Sequence, residues 1–204
     1  APAKAADGNL FDEAMLQQLN TVFSRMGSKL TLKLSLDDRP VSAELKGYMQ
    51  ELAKLTDKLI LQEEAGPEAP CVRIYREDGS FSGLAFHGVP GGHEFTSFVL
   101  GLYNAAGPGQ ALDADVREAI GQLNKKDLKV LVSLSCTMCP ELVTAAQRIA
   151  AENSNVTAEV YDLNHFPQLR NKYKVMSVPC LVVNDGEQIT FGKKNIRQLV
   201  DILK

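Results

Sequence analysis

The chain has 204 residues, of which 45% are hydrophobic and 23% are charged, and its formal net charge is -3. This balance is typical of one large folded domain or two small ones and argues against a disordered chain. Lysines and arginines are dispersed without interleaved aromatic residues, so we expect no nucleic-acid partner. No apolar stretch approaches the length of a membrane span, so we also expect no membrane association.

The four cysteines point to a reducing compartment. Two of them are isolated, and four are too few to form a structural disulfide framework in a chain of this length. The start of the chain is rich in Ala, Pro and Gly and has no signal-like apolar region. We therefore expect a cytoplasmic protein in which residues 1–9 form a linker-like segment.

Hydrophobic periodicity and turn residues predict two halves with the same order of elements. In the first half we expect a helix at 10–26, a strand at 30–36, a helix at 43–55, strands at 58–62, 71–76 and 81–87, and a helix at 93–105. In the second half we expect a helix at 115–123, a strand at 129–134, a helix at 139–152, a strand at 156–161, a short helix at 166–173, strands at 180–183 and 188–191, and a helix at 195–203.

Cys136 and Cys139 stand where the predicted strand 129–134 turns into a helix. The unpaired N–H groups and the positive dipole end of that helix favour thiolate over thiol at the first cysteine. The two intervening residues let Cys139 reach back and resolve a mixed disulfide formed at Cys136. The motif therefore predicts a redox-active pair, with both cysteines as catalytic residues.

The same two-residue spacing could supply half of a tetrahedral zinc site. The other half is missing from the sequence pattern, because Cys71 and Cys180 are isolated and the three histidines show no paired ligand spacing. We therefore favour a redox role and expect no metal site.

A second motif, Val178-Pro179, precedes the predicted strand 180–183. Proline before a strand can be a simple edge or turn residue, but an X-Pro bond can also be cis and bend the backbone into a groove. Thioredoxin-like proteins place such a bond opposite their two cysteines. The chain resembles them in the separation of the two motifs, and we predict that the Val178–Pro179 bond is cis.

The two halves correspond directly at these motifs. Residues 34–40 of the first half correspond to residues 132–139 of the second half, and residues 69–71 correspond to residues 178–180. We predict an α/β protein of two tandem thioredoxin-like folds with mixed central sheets flanked by helices. Residues 10–108 would form a redox-inactive fold, and residues 109–204 the redox-active, CxxC-containing fold of thioredoxin/glutaredoxin type.

The first half carries Asp37, Asp38 and Arg39 at the position of the cysteine pair. These side chains cannot undergo thiol exchange. We expect the first half to orient or support the second half or to recognise a partner. An equally simple alternative is that the first half is retained only for packing.

Three segments together resemble a known family. They are Gly92-His-Glu-Phe-Thr-Ser97, Ser133-Leu-Ser-Cys-Thr-Met-Cys-Pro140 and Val175-Met-Ser-Val-Pro179, in this order within a doubled fold. In these segments the chain resembles the N-terminal module of the flavoprotein subunit of bacterial alkyl hydroperoxide reductase, over residues 10–204. The resemblance implies a dithiol relay that takes electrons from a thioredoxin-reductase-like flavoprotein or domain and passes them to a peroxiredoxin.

The resemblance also bears on cofactors and on the partner surface. No glycine-rich dinucleotide fingerprint follows any predicted strand, so we expect no cofactor in this chain, with FAD and NAD(P)H on the partner reductase. We expect Thr137, Met138, Val178 and Pro179 to bind the partner.

The family resemblance further draws attention to Glu94. Thioredoxin keeps a buried acid six residues before its first cysteine, but that position is Val130 here. In the resembled family a glutamate from the redox-inactive half lies near the cysteine pair. We therefore expect Glu94 to be a catalytic proton-handling group, against the alternative that it only complements a helix dipole.

Two other functions fit the sequence. The first is a general glutaredoxin-like or protein-disulfide reductase with broader clients. The second is a non-catalytic module in which the cysteines hold a metal or sense redox state.

Overall fold

The computed structural model describes residues 10–204, and the linker-like segment predicted for residues 1–9 lies outside them. Seven α-helices and eight strands occupy the described part of the chain. None of these helices is both long and apolar enough to cross a membrane. In chain order the elements are α1 (Glu13–Arg25), β1 (Leu30–Ser35), α2 (Pro40–Ala53), β2 (Leu59–Glu63), β3 (Cys71–Arg76), β4 (Phe81–His87), α3 (Phe95–Ala106), α4 (Ala114–Gly121), β5 (Lys126–Val132), α5 (Cys139–Glu152), β6 (Val156–Asp162), α6 (Gln168–Lys172), β7 (Cys180–Val183), β8 (Gln188–Phe191) and α7 (Ile196–Leu203).

Across residues 10–204 the strands form one mixed sheet in the order β2-β1-β3-β4-β6-β5-β7-β8. In the first half, β1 pairs in parallel with β2 and antiparallel with β3, which pairs antiparallel with β4. The second half repeats this pattern, with β5 parallel to β6, antiparallel to β7, and β7 antiparallel to β8. The predicted α/β class with two thioredoxin-like halves is confirmed. In addition, β4 pairs in parallel with β6, so the two half-sheets are continuous.

One apolar core runs through both halves on one face of this sheet. It joins strand residues such as Leu32, Phe86 and Val130 to helix residues such as Phe98 of α3 and Ile149 of α5. A smaller cluster covers the other face of the second half, where α6 and its flanking loops pack on β5, β6 and β7. Side chains alternate between the two faces along each strand, which is why successive strand residues belong to different clusters.

Several element boundaries differ from the sequence-based ones for local reasons. Helix α2 begins at Pro40, since proline suits the first turn of a helix. Strand β5 begins at Lys126, because that residue pairs with Val156 on β6. The segment Gly92–Glu94 forms a 3-10 turn, so the helix predicted from residue 93 begins only at Phe95.

A bridge between the halves involves Arg39, at the first-half position that corresponds to the cysteine pair. Its guanidinium donates to the carbonyl oxygen of His165 at 2.9 Å and to that of Ala69 at 2.5 Å. It also pairs with Asp37 at 2.9 Å and lies 5.8 Å from the centre of the Phe166 ring. This side chain therefore ties the start of α2 to the loop that follows β6.

Gly83 lies where the first half closely approaches the second. It lies on β4 with φ +89°, and a Cβ atom there would come within 2.8 Å of the Val156 carbonyl oxygen at the start of β6. It would also lie 3.4 Å from the Ala150 side chain. Gly79 has nearly the same φ, +88°, but its Cβ would meet no atom within 4 Å.

The comparison of these two glycines yields a stability prediction. Gly79→Ala should cost only the backbone strain of a positive φ, about 1–2 kcal/mol. Gly83→Ala should cost that strain plus the overpacking of the joint, about 1–3 kcal/mol more. Chemical denaturation of both variants with the disulfide intact measures the difference. Equal losses of stability in the two variants would show that the close approach of β4 to β6 adds nothing to the cost of Gly83→Ala.

Candidate redox site

Cys136 and Cys139 form a disulfide between the end of β5 and the start of α5, with their Cα atoms 5.6 Å apart. Their accessibility differs: Cys136 is partly exposed, whereas Cys139 is 0% exposed within the main core. Thr137 and Met138 between them are exposed. Only one sulfur of the pair is therefore open to another molecule.

Helix α5 begins at Cys139 and has Pro140 in its first turn. No side chain caps this N-terminus. The helix is 14 residues long, so its unpaired N–H groups and the positive end of its dipole act on the adjacent sulfurs. Both features lower the free energy of a thiolate at this position once the disulfide opens.

The Val178–Pro179 peptide bond is cis, as predicted. The Val178 carbonyl oxygen lies 4.0 Å from the Cys136 sulfur, and Pro179 is buried beneath it. The Ala69–Pro70 bond at the corresponding point of the first half is also cis. The two halves therefore share this backbone feature although only one half has the cysteine pair.

Two methionines at the surface lie close in sequence to the disulfide or to the cis-proline. Met138 is 51% exposed and Met176, three residues before the cis-proline, is 82% exposed. Methionine is an adaptable apolar side chain that fits its shape to different contacts. Of the residues expected to bind a partner, Thr137 and Met138 lie between the two cysteines, and Val178 and Pro179 lie at the cis bond whose carbonyl oxygen is 4.0 Å from the Cys136 sulfur.

Glu94 lies in the 3-10 turn that precedes α3 and is 0% exposed. The turn is attached to the redox loop, because the His93 N–H donates to the Leu134 carbonyl oxygen at 3.0 Å. Glu94 Oε1 accepts a short hydrogen bond from the Ser97 hydroxyl. Its Oε2 is buried without a hydrogen-bond partner among residues 10–204. Burial raises the pKa of Glu94 to about 7, although the Ser97 hydroxyl opposes the rise.

A second buried acid, Asp162, was not singled out from the sequence. It ends β6 opposite Val132, the last residue of β5, and is 1% exposed. Burial raises its pKa, while the Asn164 N–H at 2.9 Å and the charge of His165 act in the other direction. The negative charge of Asp162 further raises the pKa of Glu94. In the sequence, Asp162 stands out only as an acidic residue directly after the apolar predicted strand 156–161.

Comparisons with known proteins agree with this geometry. A family model described as a thioredoxin domain matches residues 126–203. The F subunit of alkyl hydroperoxide reductase from Pseudomonas aeruginosa is 32% identical over 192 residues, which cover 94% of this chain and 37% of that protein. The solved NTD_N/C domain of alkylhydroperoxide reductase AhpF from Enterococcus faecalis is 36% identical, with a TM-score of 0.90 over 95% of this chain and 100% of that one. This chain belongs to the AhpF N-terminal domain family.

The resemblance inferred from the three motifs is thereby confirmed. This AhpF-family domain spans about 37% of the length of the curated relative it matches. A protein disulfide oxidoreductase from Aeropyrum pernix K1 has a TM-score of 0.80 at 18% identity over 94% of this chain and 91% of that one, which is a likeness of fold. Together with the Cys136–Cys139 disulfide, these comparisons support thiol–disulfide oxidoreductase chemistry in this domain.

The raised pKa of Glu94 predicts a pH-dependent stability. The folded state holds this proton more tightly than the unfolded state, so the contribution of Glu94 to the free energy of unfolding is fully present below pH 4.5 and is lost as the pH rises through about 7. At about 1.36 kcal/mol per pKa unit, the full change is about 3 kcal/mol. Denaturation of the oxidised protein across this range should show that the difference in free energy of unfolding between wild type and Glu94→Gln falls as the pH rises, while other groups such as Asp162 contribute equally to both. The exposed Glu118→Gln on α4 serves as the control, and parallel curves for wild type and Glu94→Gln would contradict the assignment.

Proposed function

We propose that this domain is a thiol–disulfide relay that passes electrons from a flavoprotein dithiol to a peroxiredoxin disulfide. The observation that carries the proposal is the unequal burial of the two sulfurs at the start of α5. An exposed attacking sulfur and a buried resolving sulfur are what a two-step exchange with another protein requires. The family relationship supports this choice of donor and acceptor.

In the reductive half, a donor thiolate attacks the exposed Cys136 sulfur and the Cys139 sulfur leaves as a thiolate. A second donor thiolate then attacks the donor sulfur of the mixed disulfide and releases Cys136, so two electrons have entered the domain. The helix start of α5 stabilises the thiolates formed in both steps. The donor leaves with its own cysteines joined in a disulfide.

In the oxidative half, the Cys136 thiolate attacks the acceptor disulfide and one acceptor thiolate leaves. The buried Cys139 thiolate then attacks the Cys136 sulfur, which restores the internal disulfide and releases the second acceptor thiolate. Two electrons have left the domain, and the two acceptor thiolates take up two protons. The order of attack follows from access, because Cys139 is 0% exposed.

Partner binding in this scheme uses the surface around Cys136. Val178 and Pro179 shape one side of the contact, and an extended partner segment aligns along the backbone at Val178. Thr137, Met138 and Met176 supply the exposed side chains on the other side. The flexible thioether side chains suit two partners of different shape, one donor and one acceptor.

Glu94 is the proton-handling residue in this proposal. Its turn contacts α5 and hydrogen-bonds to the loop that leads to Cys136. With a pKa of about 7, the carboxyl is half protonated near neutral pH, which suits a group that donates a proton to a leaving thiolate and later removes it. The acid comes from the first half, since the strand position that holds it in thioredoxin is the buried Val130 here.

The donor is proposed to be a thioredoxin-reductase-like flavoprotein or flavoprotein domain that binds FAD and oxidises NAD(P)H, and the acceptor a two-cysteine peroxiredoxin. The cofactors belong to the donor in this scheme. A cytoplasmic location and the domain boundary at residues 108 and 109 stay predictions from the sequence.

Reconstitution of the complete electron path tests the proposal. With NAD(P)H, a thioredoxin-reductase-like flavoprotein, this domain and a two-cysteine peroxiredoxin, peroxide-dependent oxidation of NAD(P)H should occur. Cys136→Ser should abolish it, because the other three cysteines are buried and cannot start the exchange. Cys71→Ala, which removes a buried cysteine away from the site, should keep the wild-type rate.

Cys139→Ser identifies the intermediate in the same system. Without the resolving thiol, the disulfide between Cys136 and the peroxiredoxin should accumulate and appear as a covalent complex on non-reducing gels. Absence of that complex, together with insulin reduction by the wild type and no peroxidase turnover, would replace the relay by a general protein-disulfide reductase.

Glu94→Gln tests the proton-handling role separately. The rate of exchange at pH 7 should fall roughly tenfold to a hundredfold, because a positioned acid or base contributes at least this much. The pH dependence of Cys136 alkylation in the reduced domain should also shift. Glu118→Gln should match wild type in both measurements. An unchanged exchange rate and an unchanged alkylation profile for Glu94→Gln would show that Glu94 is only a structural acid.

A further inference from the structure

Glu94 is sealed from solvent within the part of the chain that the structure describes. Its side chain is 0% exposed, Oε1 is bonded to the Ser97 hydroxyl, and Oε2 has no hydrogen-bond partner among residues 10–204. Cys139, the buried sulfur of the pair, is also 0% exposed. A buried acid that gives up and regains a proton in each cycle needs a path by which that proton reaches water.

Asp162 is a second buried carboxyl on the same face of the sheet. It ends β6 opposite Val132 of β5. Because side chains alternate along a strand, Asp162 faces the same side as Val160, two residues earlier. Val160 belongs to the main core, on the face that α3 and α5 cover. The charge of Asp162 acts on Glu94 and raises its pKa, which is consistent with two neighbouring carboxyls.

The strand that leads to Glu94 passes directly beside Asp162. His87 of β4 is paired with Tyr161 of β6, so Gly88, the next residue, stands next to Asp162. A Cβ atom at Gly88 would lie 3.0 Å from the Asp162 Cβ and 3.8 Å from its Oδ2. The glycine therefore leaves room for the carboxylate at the joint, between β4, which leads to the Glu94 turn, and β5, which leads to the Cys136 loop.

His165 connects the Asp162 carboxylate to the surface. Asp162 Oδ1 accepts a hydrogen bond from the Asn164 N–H at 2.9 Å, and Oδ2 lies 3.9 Å from His165 Nε2. The His165 side chain is 33% exposed, whereas that of Asp162 is 1% exposed. The Arg39 guanidinium donates to the His165 carbonyl oxygen at 2.9 Å, so the first half holds this backbone in place. An exposed imidazole thus stands over a buried carboxylate.

We propose that Asp162 and His165 carry the proton between solvent and Glu94, with Asp162 as the buried step and His165 as the exposed end. The path rests on the proposed proton-handling role of Glu94. When Cys139 leaves as a thiolate, Glu94 gives it a proton and becomes a carboxylate. Asp162 takes a proton from the His165 imidazolium and passes it to Glu94, and a proton from solvent restores the imidazolium. In the oxidative half one proton moves in the opposite direction, because the Cys139 thiol must lose it before it attacks the Cys136 sulfur.

The surroundings of Asp162 favour this path. Its neighbours on β4 and β5, Gly88 and Val132, do not titrate. Among residues 10–204 the charged groups that act on it are Glu94 and His165. Burial raises the pKa of Asp162, which suits a carboxyl that takes up and releases a proton. Imidazole is the side chain best suited to exchange protons with water near neutral pH.

Single-turnover oxidation of the reduced protein by a small aromatic disulfide tests the path without a peroxiredoxin. The first aryl thiolate released reports attack by Cys136, and the second reports attack by Cys139. In His165→Ala the second phase should slow by about tenfold in dilute buffer, and added imidazole should restore it by replacing the lost side chain. This variant keeps the backbone carbonyl that Arg39 binds. His93→Ala, which removes an exposed histidine next to Glu94 in sequence, should keep the wild-type rates.

Asp162→Asn removes the buried step and keeps an oxygen that can accept the Asn164 N–H. The second phase should slow as in His165→Ala, but imidazole should not restore it, because the missing step lies inside the protein. Its pH profile should also move to lower pH, since the charge that raises the pKa of Glu94 is lost.

Three results would overturn the path: wild-type rates in both variants, a slow His165→Ala that imidazole does not restore, or a slow His93→Ala that imidazole restores. An Asp162→Asn variant with the wild-type pH profile would do the same. If Glu94→Gln slows the second phase in any of these cases, the role of Glu94 stands and only the path fails. Loss of peroxiredoxin turnover with normal aryl-disulfide exchange would contradict the relay and leave the path intact.

Discussion

The parallel pairing of β4 with β6 holds the two halves of this domain in one register. It aligns Leu84 to His87 of the first half with Ala158 to Tyr161 of the second and makes one sheet from two. Because β4 leads into the turn of Glu94, and β6 lies beside β5, which leads into the loop of Cys136, the pairing brings that turn to the loop before Cys136. Without this joint, Glu94 of the first half would not lie beside the loop that leads to Cys136.

The first half retains the backbone plan of a redox fold but has different chemistry at the key positions. Its cis-proline corresponds to the one beside the disulfide, and Arg39 takes the position of the cysteines. This guanidinium binds carbonyl oxygens on both sides of the joint instead of exchanging electrons. Loss of thiol chemistry in one half is therefore accompanied by contacts that orient the other half.

Burial gives chemically similar groups at the redox site different properties. Two cysteines three positions apart differ in access because one precedes the helix and the other starts it against the core. Glu94 and Asp162 are both buried acids, and the negative charge of one raises the pKa of the other. Met138 between the cysteines and Met176 before the cis-proline expose flexible apolar side chains at the surface.

Local signals in the amino-acid sequence were enough to predict the class of fold, the order of elements and the position of the disulfide, because hydrophobic periodicity and the CxxC and Val-Pro motifs each act over a few residues. The strands 71–76, 81–87, 180–183 and 188–191 and the helix 139–152 have the predicted bounds for this reason. The union of the two sheets and the neighbourhood of Asp162 and Glu94 became visible only in the folded chain. These features depend on which strand edges pair and which side chains then share a face, and contacts between distant strands leave no periodic pattern in the sequence.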